Sequence, residues 1–293
     1  MNRQQRSYLF AGITILCWAT VPTAFKIGLR YQDNFQLLLG STIVSLVIFL
    51  VFILIQGKWR ELFSFTLKEY LYSAFLGFLN PFLYYLILFK AYSILPGQVA
   101  QPLNMIWPIV LVLISIPLLK QKISIQSILA MIVSFSGVIL ISSQGGGSDF
   151  RTGHLPGIFL ALGSSLIWAF FWIMNVKDKR DEILKLFLNF SFALIFLLIS
   201  MPVFHESFPL SKEALMAMAY VGLFEMGFAF IFWLKALQLT KTTDKISNLI
   251  YLDPFFSLFF IHYIAGEKIY LTTIAGLILV VMGIILQKVR SFK

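Results

Sequence analysis

Two carboxylic acids, Glu225 and Asp253, lie inside apolar stretches that are long enough to cross a bilayer. An ionised carboxylate at the centre of a membrane costs roughly 2.5–3.5 kcal/mol on insertion scales, so such a side chain is expected to face a bundle interior or a wet cavity. There it could bind the ammonium group of a substrate or exchange a proton. The alternative is a structural carboxyl that is hydrogen-bonded between helices.

The second acid stands directly before a proline, in the dipeptide Asp253-Pro254. Proline removes one backbone hydrogen bond of a helix and frees a carbonyl one turn earlier, here around Ile250. The freed carbonyl and the carboxylate together predict a polar site at membrane depth. A kink that only shapes the bundle, with the acid filling a local gap, is the other interpretation.

Other polar residues at helical spacing extend this candidate site. Asn80 and Tyr84 lie one helical turn apart, and Asn248 and Tyr251 show a similar spacing in a later stretch. Asn104 lies in a third stretch. Such polar residues suit substrate contacts, although hydrogen bonds between helices produce the same pattern.

Tryptophans supply the apolar part of the candidate site. Trp18 and Trp168 lie in similar short sequences 150 residues apart, where they could form an aromatic pocket wall or an interfacial belt. Trp107 stands before a proline, as Asp253 does. The predicted substrate-binding residues are Trp18, Asn80, Tyr84, Asn104, Trp107, Trp168, Glu225, Asn248, Tyr251 and Asp253.

Four further ionisable residues are expected to have structural roles. Lys26 is predicted to extend its long side chain to the membrane interface, although an inward-pointing Lys26 would pair with one of the two deep acids. Asp244 lies near the start of one predicted helix and Glu267 precedes another, where a negative charge is favourable. His262 is expected to make an interfacial hydrogen bond.

The sequence lacks the residues that most catalytic and cofactor-dependent chemistries require. Cys17 is the single cysteine, which excludes an intrachain disulfide and a cysteine metal cluster. The Gly145–Gly147 run lacks the lysine and the helix start of a phosphate loop. An enzyme using Glu225 and Asp253 as an acid–base pair would lack a second catalytic group. We therefore expect no enzyme activity, no cofactor and no bound metal.

The elements that hold these residues are predicted to be transmembrane helices. With 293 residues, 59% of them hydrophobic and 12% charged, the chain has too little polar surface for a soluble globule. Long, continuously apolar runs favour an all-α integral membrane protein over a barrel. Ten spans are predicted: 8–29, 35–56, 70–90, 97–119, 123–143, 154–175, 182–202, 214–236, 243–264 and 271–288.

The two halves of the sequence repeat one another. The pattern Gly77-x-x-Asn80 returns 145 residues later as Gly222-x-x-Glu225. A polar linker at 144–153 separates a first repeat at 1–143 from a second at 154–293. Because each repeat has five predicted spans, an odd number, the second should enter the membrane from the opposite side. The fold is thus predicted to be two inverted five-helix repeats with a site between them.

The basic residues predict the orientation. The net charge is +10, and most of the 23 Lys and Arg residues fall in segments on the same side as the N-terminus. The positive-inside rule then places both termini in the cytoplasm. The positive charge is explained by topology and by anionic lipid headgroups, so nucleic acid is not expected as a partner.

The segment from Gly222 to Leu286 resembles the second repeat of the EamA-type domain of the drug/metabolite transporter superfamily. The first half resembles it more weakly, with Gln121 in the place of Glu267. The resemblance is carried by Gly222, Lys235-Ala236-Leu237, Asp253-Pro254, Gly266-Glu267, Gly276 and Gly283 in the second half, and by Lys90-Ala91, Pro108 and Gly137 in the first. It implies a ten-helix carrier of small metabolites with cytoplasmic termini.

The predicted function is secondary active transport of a small metabolite across a bacterial-type inner (plasma) membrane. An amine or an amino acid is the favoured substrate, exported by alternating access with a proton or solute gradient. Uptake of a vitamin or nucleotide-like metabolite is one alternative, and a passive channel is the alternative from another class. The expected partners are the small-molecule substrate, membrane lipid and a coupling proton; a monomer and a homodimer both remain open.

Overall fold

The computed structural model describes residues 1–94, 103–142, 155–204, 211–265 and 270–290. Within these ranges all regular structure is helical, which confirms the all-α prediction for them. The predicted linker at 144–153 and the residues Gln101 and Glu267 lie outside them. The helices are α1 (Arg3–Gly28), α2 (Asn34–Ile55), α3 (Leu67–Gly77), α4 (Tyr84–Ile94), α5 (Trp107–Leu119), α6 (Ile125–Ser142), α7 (Leu155–Lys177), α8 (Glu182–Phe204), α9 (Lys212–Val221), α10 (Phe228–Leu239), α11 (Asp244–Ser247), α12 (Asp253–Ala265) and α13 (Leu271–Arg290).

The described helices make the chain a multi-pass membrane protein. Six helical stretches are long and apolar enough to cross a bilayer, and three shorter apolar helices accompany them. Because the start of the predicted span at 97–119 lies outside the described ranges, the count of ten stays a prediction. The six stretches are Arg3–Phe25, Asn34–Ile55, Leu67–Ala91, Leu155–Lys177, Glu182–Val203 and Lys212–Leu239.

Capping residues set the starts of several helices. Asn2, Asp33 and Thr66 each accept a backbone hydrogen bond from the first turn of α1, α2 and α3, and a glutamine or glutamate three residues later returns the bond. These capping boxes satisfy N–H groups that would otherwise lack partners. They extend α1 and α3 a few residues before the starts that apolar residues alone predict.

Two of the predicted spans are interrupted near their middles by a wider, π-helical turn. The first π turn (Phe78–Leu83) joins α3 to α4, and the second π turn (Gly222–Gly227) joins α9 to α10. Pro81 has no N–H to give to the carbonyl of Gly77, which explains the first interruption. The second contains no proline. The two turns occupy equivalent positions of the sequence repeat.

A third interruption lies where the proline effect was predicted. The stretch that begins with α11 tightens into a 3₁₀ turn (Asn248–Leu252) before it continues as α12. Pro254 is the second residue of α12, and Ile250 lies in the middle of the 3₁₀ turn. The expected local change of backbone geometry around Ile250 is therefore present.

Glycines allow each half to pack closely against the other. A Cβ atom on Gly77 would lie 2.1 Å from the backbone oxygen of Asn189 in α8. A Cβ atom on Gly222 would lie 2.5 Å from Cβ of Val44 and 2.7 Å from the backbone oxygen of Ser41, both in α2. The interrupted helix of each half thus packs against the second helix of the other half.

Small residues also join α6 and α13 along their length. A Cβ atom on Gly137 would lie 2.4 Å from the backbone oxygen of Gly276, and one on Gly283 would lie 2.5 Å from that of Ala130. Glycine at these places lets two helix backbones approach closely, as is common between membrane helices. The last helix of each half therefore packs against its counterpart.

Polar contacts close the end of the bundle at which α1 begins. Ser7 Oγ donates to the backbone oxygen of Ala236 at 2.8 Å, and the hydroxyls of Ser115 and Thr243 lie 2.9 Å apart. The backbone N–H of Thr243 donates to Gln121 Oε1 at 2.9 Å. We call these contacts the N-terminal seal. They connect α1 to α10, and α5 to the segment before α11.

An ion pair at the same end joins the connection between α2 and α3 to the start of α8. Lys58 Nζ lies 2.5 Å from Asp181 Oδ2, and this hydrogen bond raises the pKa of Lys58. Burial opposes ionisation of Asp181. Hydrogen bonds from Lys58 and from the backbone N–H groups of Leu184 and Ile183 outweigh burial, so the pKa of Asp181 is lowered.

Replacing Asp181 by asparagine is expected to lower the free energy of unfolding by less than about 1 kcal/mol, because water screens a partly exposed pair. Asparagine still caps a helix, so the change isolates the charge. The wild-type advantage should vanish as the pH falls through the lowered pKa of Asp181, and again as it rises through the raised pKa of Lys58. Thermal unfolding in detergent tests this; a difference that is constant with pH would contradict it.

Candidate functional site

A cavity of about 490 Å³ lies between the two halves. Its wall is built by α1, the start of α2, α4, the segment leading into α5, α7, the second π turn and the junction of the 3₁₀ turn with α12. This volume is in the range of small-molecule sites. The lining residues are Trp18, Val21, Phe25, Leu29, Asn34, Tyr84, Tyr85, Leu88, Phe89, Asn104, Met105, Trp107, Trp168, Glu225, Ile250 and Asp253.

Both deep acids lie in this wall. Tyr85 Oη donates a hydrogen bond to Glu225 Oε1 at 2.6 Å, so one carboxylate oxygen is oriented by a phenol. Asp253 is 5% exposed, and its Oδ1 has no hydrogen-bond partner among the described residues. Glu225 is therefore held in place by the protein, whereas Asp253 keeps an oxygen free to accept from a ligand.

The predicted tryptophans form a continuous aromatic wall. The ring centroid of Trp18 lies 6.2 Å from that of Trp107 and 5.8 Å from that of Trp168, and Tyr84 lies 4.4 Å from Trp168. Trp18 Nε1 also donates to the backbone oxygen of Glu225 at 3.2 Å. Faces of aromatic rings attract cations, so the wall favours a positively charged ligand as well as an apolar one.

Asn104 links two of the helices that surround the cavity to the segment before α5. Its Nδ2 donates to Ser164 Oγ at 3.0 Å, and its Oδ1 accepts from Tyr84 Oη at 3.4 Å. These bonds connect the segment before α5 to α7 and α4. Asn104 therefore has a structural contribution even though it lines the cavity.

Three predicted site residues lie away from the cavity. Asn248 donates to Gln287 Oε1 at 3.0 Å, and Tyr251 packs at 6.0 Å from the ring of Phe135. Residues three apart share a face in a 3₁₀ turn, so Asn248 and Tyr251 point together towards α13 and α6. Ile250 and Asp253 share the other face, which lines the cavity. The interpretation of that polar face as cavity wall is corrected accordingly.

The third of these residues, Asn80, is fully buried within the first π turn. Its backbone has φ −155° and ψ 127°, which is extended rather than helical. Neither polar atom of its side chain has a hydrogen-bond partner among the described residues. The sequence predicts that Asn80 binds substrate, but it does not line the cavity in which Glu225 lies.

The most important residue missed by sequence reasoning is Tyr85. Tyr85 directly follows Tyr84 in α4, and both side chains line the cavity. Sequence spacing could have found the apolar part of the wall, since Val21, Phe25 and Leu29 follow Trp18 at intervals of three or four residues. The side chain of Lys26 lies outside the described part.

The cavity extends towards the end of the bundle opposite the N-terminal seal. Its lining reaches Leu29, which caps α1 and is 40% exposed, and Asn34 in the first turn of α2. On the other side Trp233 packs 5.8 Å from Trp18 and 5.7 Å from Trp107. The aromatic cluster and the N-terminal seal therefore separate the cavity from the end at which α1 begins.

Replacing Tyr85 by phenylalanine is expected to weaken ligand binding about tenfold, because a hydrogen bond to a charged group contributes about 1.5–3 kcal/mol and positions Glu225. Binding of a cationic ligand to the purified protein measures this. Tyr84→Phe serves as the comparison, since it removes a phenol that donates to Asn104 Oδ1 and keeps the aromatic ring. Equal affinities of wild type and Tyr85→Phe would contradict the prediction.

Comparison with known proteins identifies the relatives of this chain. The EamA-like transporter family matches residues 5–143 and 155–287. An "Uncharacterized transporter" of Archaeoglobus fulgidus is 25% identical and covers 98% of each chain. "Uncharacterized transporter YvbV" of Bacillus subtilis is also 25% identical, over 98% of this chain and 92% of its own.

The fold also matches a known crystal structure. Its TM-score is 0.83 over 97% of this chain and 96% of the other, although only 17% of the residues are identical. That likeness supports the fold alone. The family match, in contrast, extends over both halves and nearly the whole sequence, as the sequence resemblance predicts. The chain therefore belongs to the EamA-like transporter family.

Proposed function

We propose that this protein is a secondary active carrier of small organic amines. The observation that carries the proposal is the cavity wall, which places two carboxyl groups, Glu225 and Asp253, among aromatic rings. No basic side chain is found among the described residues of that wall. An ammonium group would be paired by the acids and surrounded by ring faces, which are the two ways in which proteins recognise organic cations.

The same wall favours an amine over an amino acid. The carboxylate of an amino acid would enter a site that already holds two acids, and the described lining offers no positive partner. Juxtaposed like charges at a binding surface cost several kcal/mol. Within the predicted choice of amine or amino acid, we therefore favour compact amines without a carboxylate.

We also propose ten transmembrane helices in two inverted repeats as the architecture. The two π turns at equivalent positions support it, because interrupted helices in corresponding places of two repeats line the sites of secondary transporters. Reciprocal packing adds support: Gly77 meets α8 and Gly222 meets α2. The boundaries proposed for the repeats are 1–143 and 154–293, joined by 144–153.

The proposed mechanism is alternating access in a bacterial-type inner membrane with both termini in the cytoplasm. In that orientation the N-terminal seal closes the cytoplasmic side, and the cavity reaches the outer side near Leu29. Rocking of the halves would open the seal and close the outer end. Export of the amine in exchange for protons or another solute fits two acids that can hold either a proton or an ammonium group.

The rival classes lack such support. A passive channel needs a continuous polar path. Here Trp18, Trp107 and Trp233 pack together between the cavity and the end at which α1 begins, so an apolar cluster interrupts the path. An uptake carrier of a nucleotide-like metabolite would need positive partners for phosphate groups. We therefore retain the carrier of amines as the proposed function.

Counterflow in proteoliposomes tests the proposed substrate class. Phenethylamine and phenylalanine share a ring and an amino group, and only the second has a carboxylate. We expect exchange of phenethylamine and at least about tenfold slower exchange of phenylalanine, because the carboxylate meets two acids. Equal exchange would contradict the proposal. Exchange of phenylalanine that is lost in Lys26→Gln would contradict it too, and would identify Lys26 as the partner of the carboxylate.

A further inference from the structure

A second group of buried oxygen atoms lies outside the cavity, where α11 and the 3₁₀ turn pack against α13. It consists of Asp244, Ser247 and Asn248, whose exposed fractions are 4%, 0% and 0%. The three residues are spaced at i, i+3 and i+4, so they share one helix face. Asp244 lies in the first turn of α11, as expected, but no helix-capping hydrogen bond involves its side chain.

The hydrogen bonds of Gln287 determine the orientation of its own amide group and of the amide of Asn248. Its Nε2 donates to Asp244 Oδ2 at 3.2 Å and to the backbone oxygen of Asp244 at 2.9 Å. Since ionised carboxylates and carbonyls only accept hydrogen bonds, the NH₂ group of Gln287 must face Asp244. Its Oε1 therefore faces Asn248 and accepts from Asn248 Nδ2 at 3.0 Å.

The remaining oxygen atoms of the group have no donor. Asp244 Oδ1, Ser247 Oγ and Asn248 Oδ1 are each buried without a hydrogen-bond partner among the described residues. The ion pairs found among those residues do not include Asp244. A buried carboxylate with one unpaired oxygen is costly, and two unpaired neutral oxygens on the same helix face add to the cost. A cation would relieve all three.

We propose that Asp244, Ser247 and Asn248 bind a sodium ion. Hard cations take oxygen ligands, and one carboxylate with neutral oxygens balances a single positive charge better than a double one. A proton on Asp244 would satisfy one of the oxygens and leave Asn248 Oδ1 without a donor. In secondary transporters, coupling ions bind where helices change their geometry, as this stretch does at the 3₁₀ turn.

The position of the site suggests what the ion does. Asp244 directly follows Thr243, which takes part in the N-terminal seal through Ser115 and Gln121. An ion that fixes the first turn of α11 would also fix Thr243. Sodium binding would thus favour the form in which the N-terminal end is closed, and the sodium gradient would act on the seal.

Thermal unfolding of the purified full-length protein in detergent tests the site without a transport substrate. Sodium chloride should raise the melting temperature in a saturable way, relative to equal concentrations of potassium chloride and choline chloride. Asp244→Asn should abolish this rise. Ser247→Ala, which removes one neutral ligand and changes the packing least, should weaken the apparent sodium affinity about tenfold.

Asp181→Asn is the matched control, because it removes an acid at the same end of the bundle that is paired with Lys58 instead. It should keep the full response to sodium, and binding of radioactive sodium should follow the same order of variants. A wild type that melts equally in all three salts would overturn the proposal. The same holds if Ser247→Ala retains the wild-type sodium affinity, or if only pH and not sodium changes the melting temperature. These outcomes do not bear on the proposed amine transport, which the counterflow experiment tests.

Discussion

Glu225→Gln is expected to reduce counterflow of phenethylamine about 30-fold or more. Breaking a buried charge pair costs about 2–5 kcal/mol, and each 1.4 kcal/mol is a factor of ten in affinity. Glutamine keeps the size of the side chain and can still accept from Tyr85, so the loss reports the charge. Initial rates over a range of amine concentrations, measured with equal amounts of reconstituted protein, give the change.

Glu213→Gln is the control for this experiment, because Glu213 is an exposed acid in the first turn of α9, on the same interrupted span. Its rates should equal those of the wild type. If Glu225→Gln left both the rate and its pH dependence unchanged, Glu225 would be a structural carboxyl. The proposed substrate site would then have to rest on Asp253 alone.

Among the variants proposed for this protein, Gly77→Ala is expected to cause the largest loss in the free energy of unfolding. The new Cβ atom would lie 2.1 Å from the backbone oxygen of Asn189 and 3.0 Å from the backbone nitrogen of Ala193. Backbone atoms cannot rotate away as the end of a flexible side chain can, so α3 and α8 must move apart. Overpacking typically costs about 1–3 kcal/mol, and this contact is at the severe end. Thermal unfolding in detergent should show a lower melting temperature.

Gly163→Ala is the matched control, since a Cβ atom at that position meets nothing within 4 Å. Alanine favours a helix over glycine by about 1 kcal/mol, so this variant should be as stable as the wild type or more stable. Equal melting temperatures for Gly77→Ala and Gly163→Ala would show that the α3–α8 contact does not limit stability.

The sequence predicts the helices well because their physical cause is local. A run of apolar residues records the thickness of the bilayer, and capping residues such as Asp33 and Thr66 mark the starts. The places of the deep acids follow from the same argument, since the cost of a charge in lipid directs Glu225 and Asp253 inward. Both line the cavity.

The sequence predicts the direction of polar faces less well. The spacing of Asn248 and Tyr251 shows that they share a face, but which neighbour covers that face depends on tertiary packing. In the structure α13 and α6 cover it, and Gln287 supplies the hydrogen bond. The second π turn is also not apparent from the sequence, because no proline marks it. In the structure its first residue, Gly222, approaches α2 closely.

The glycine contacts between α3 and α8, and between the second π turn and α2, have a consequence for synthesis in the membrane. During translation the surface around Gly77 is completed only when α8 is inserted, and Val44 receives Gly222 later still. Until then the surface around Gly77 in the first half is exposed to lipid. Because each half supplies a surface that the other half covers, a chain that stops after α6 lacks the helices that complete the packing of its first half.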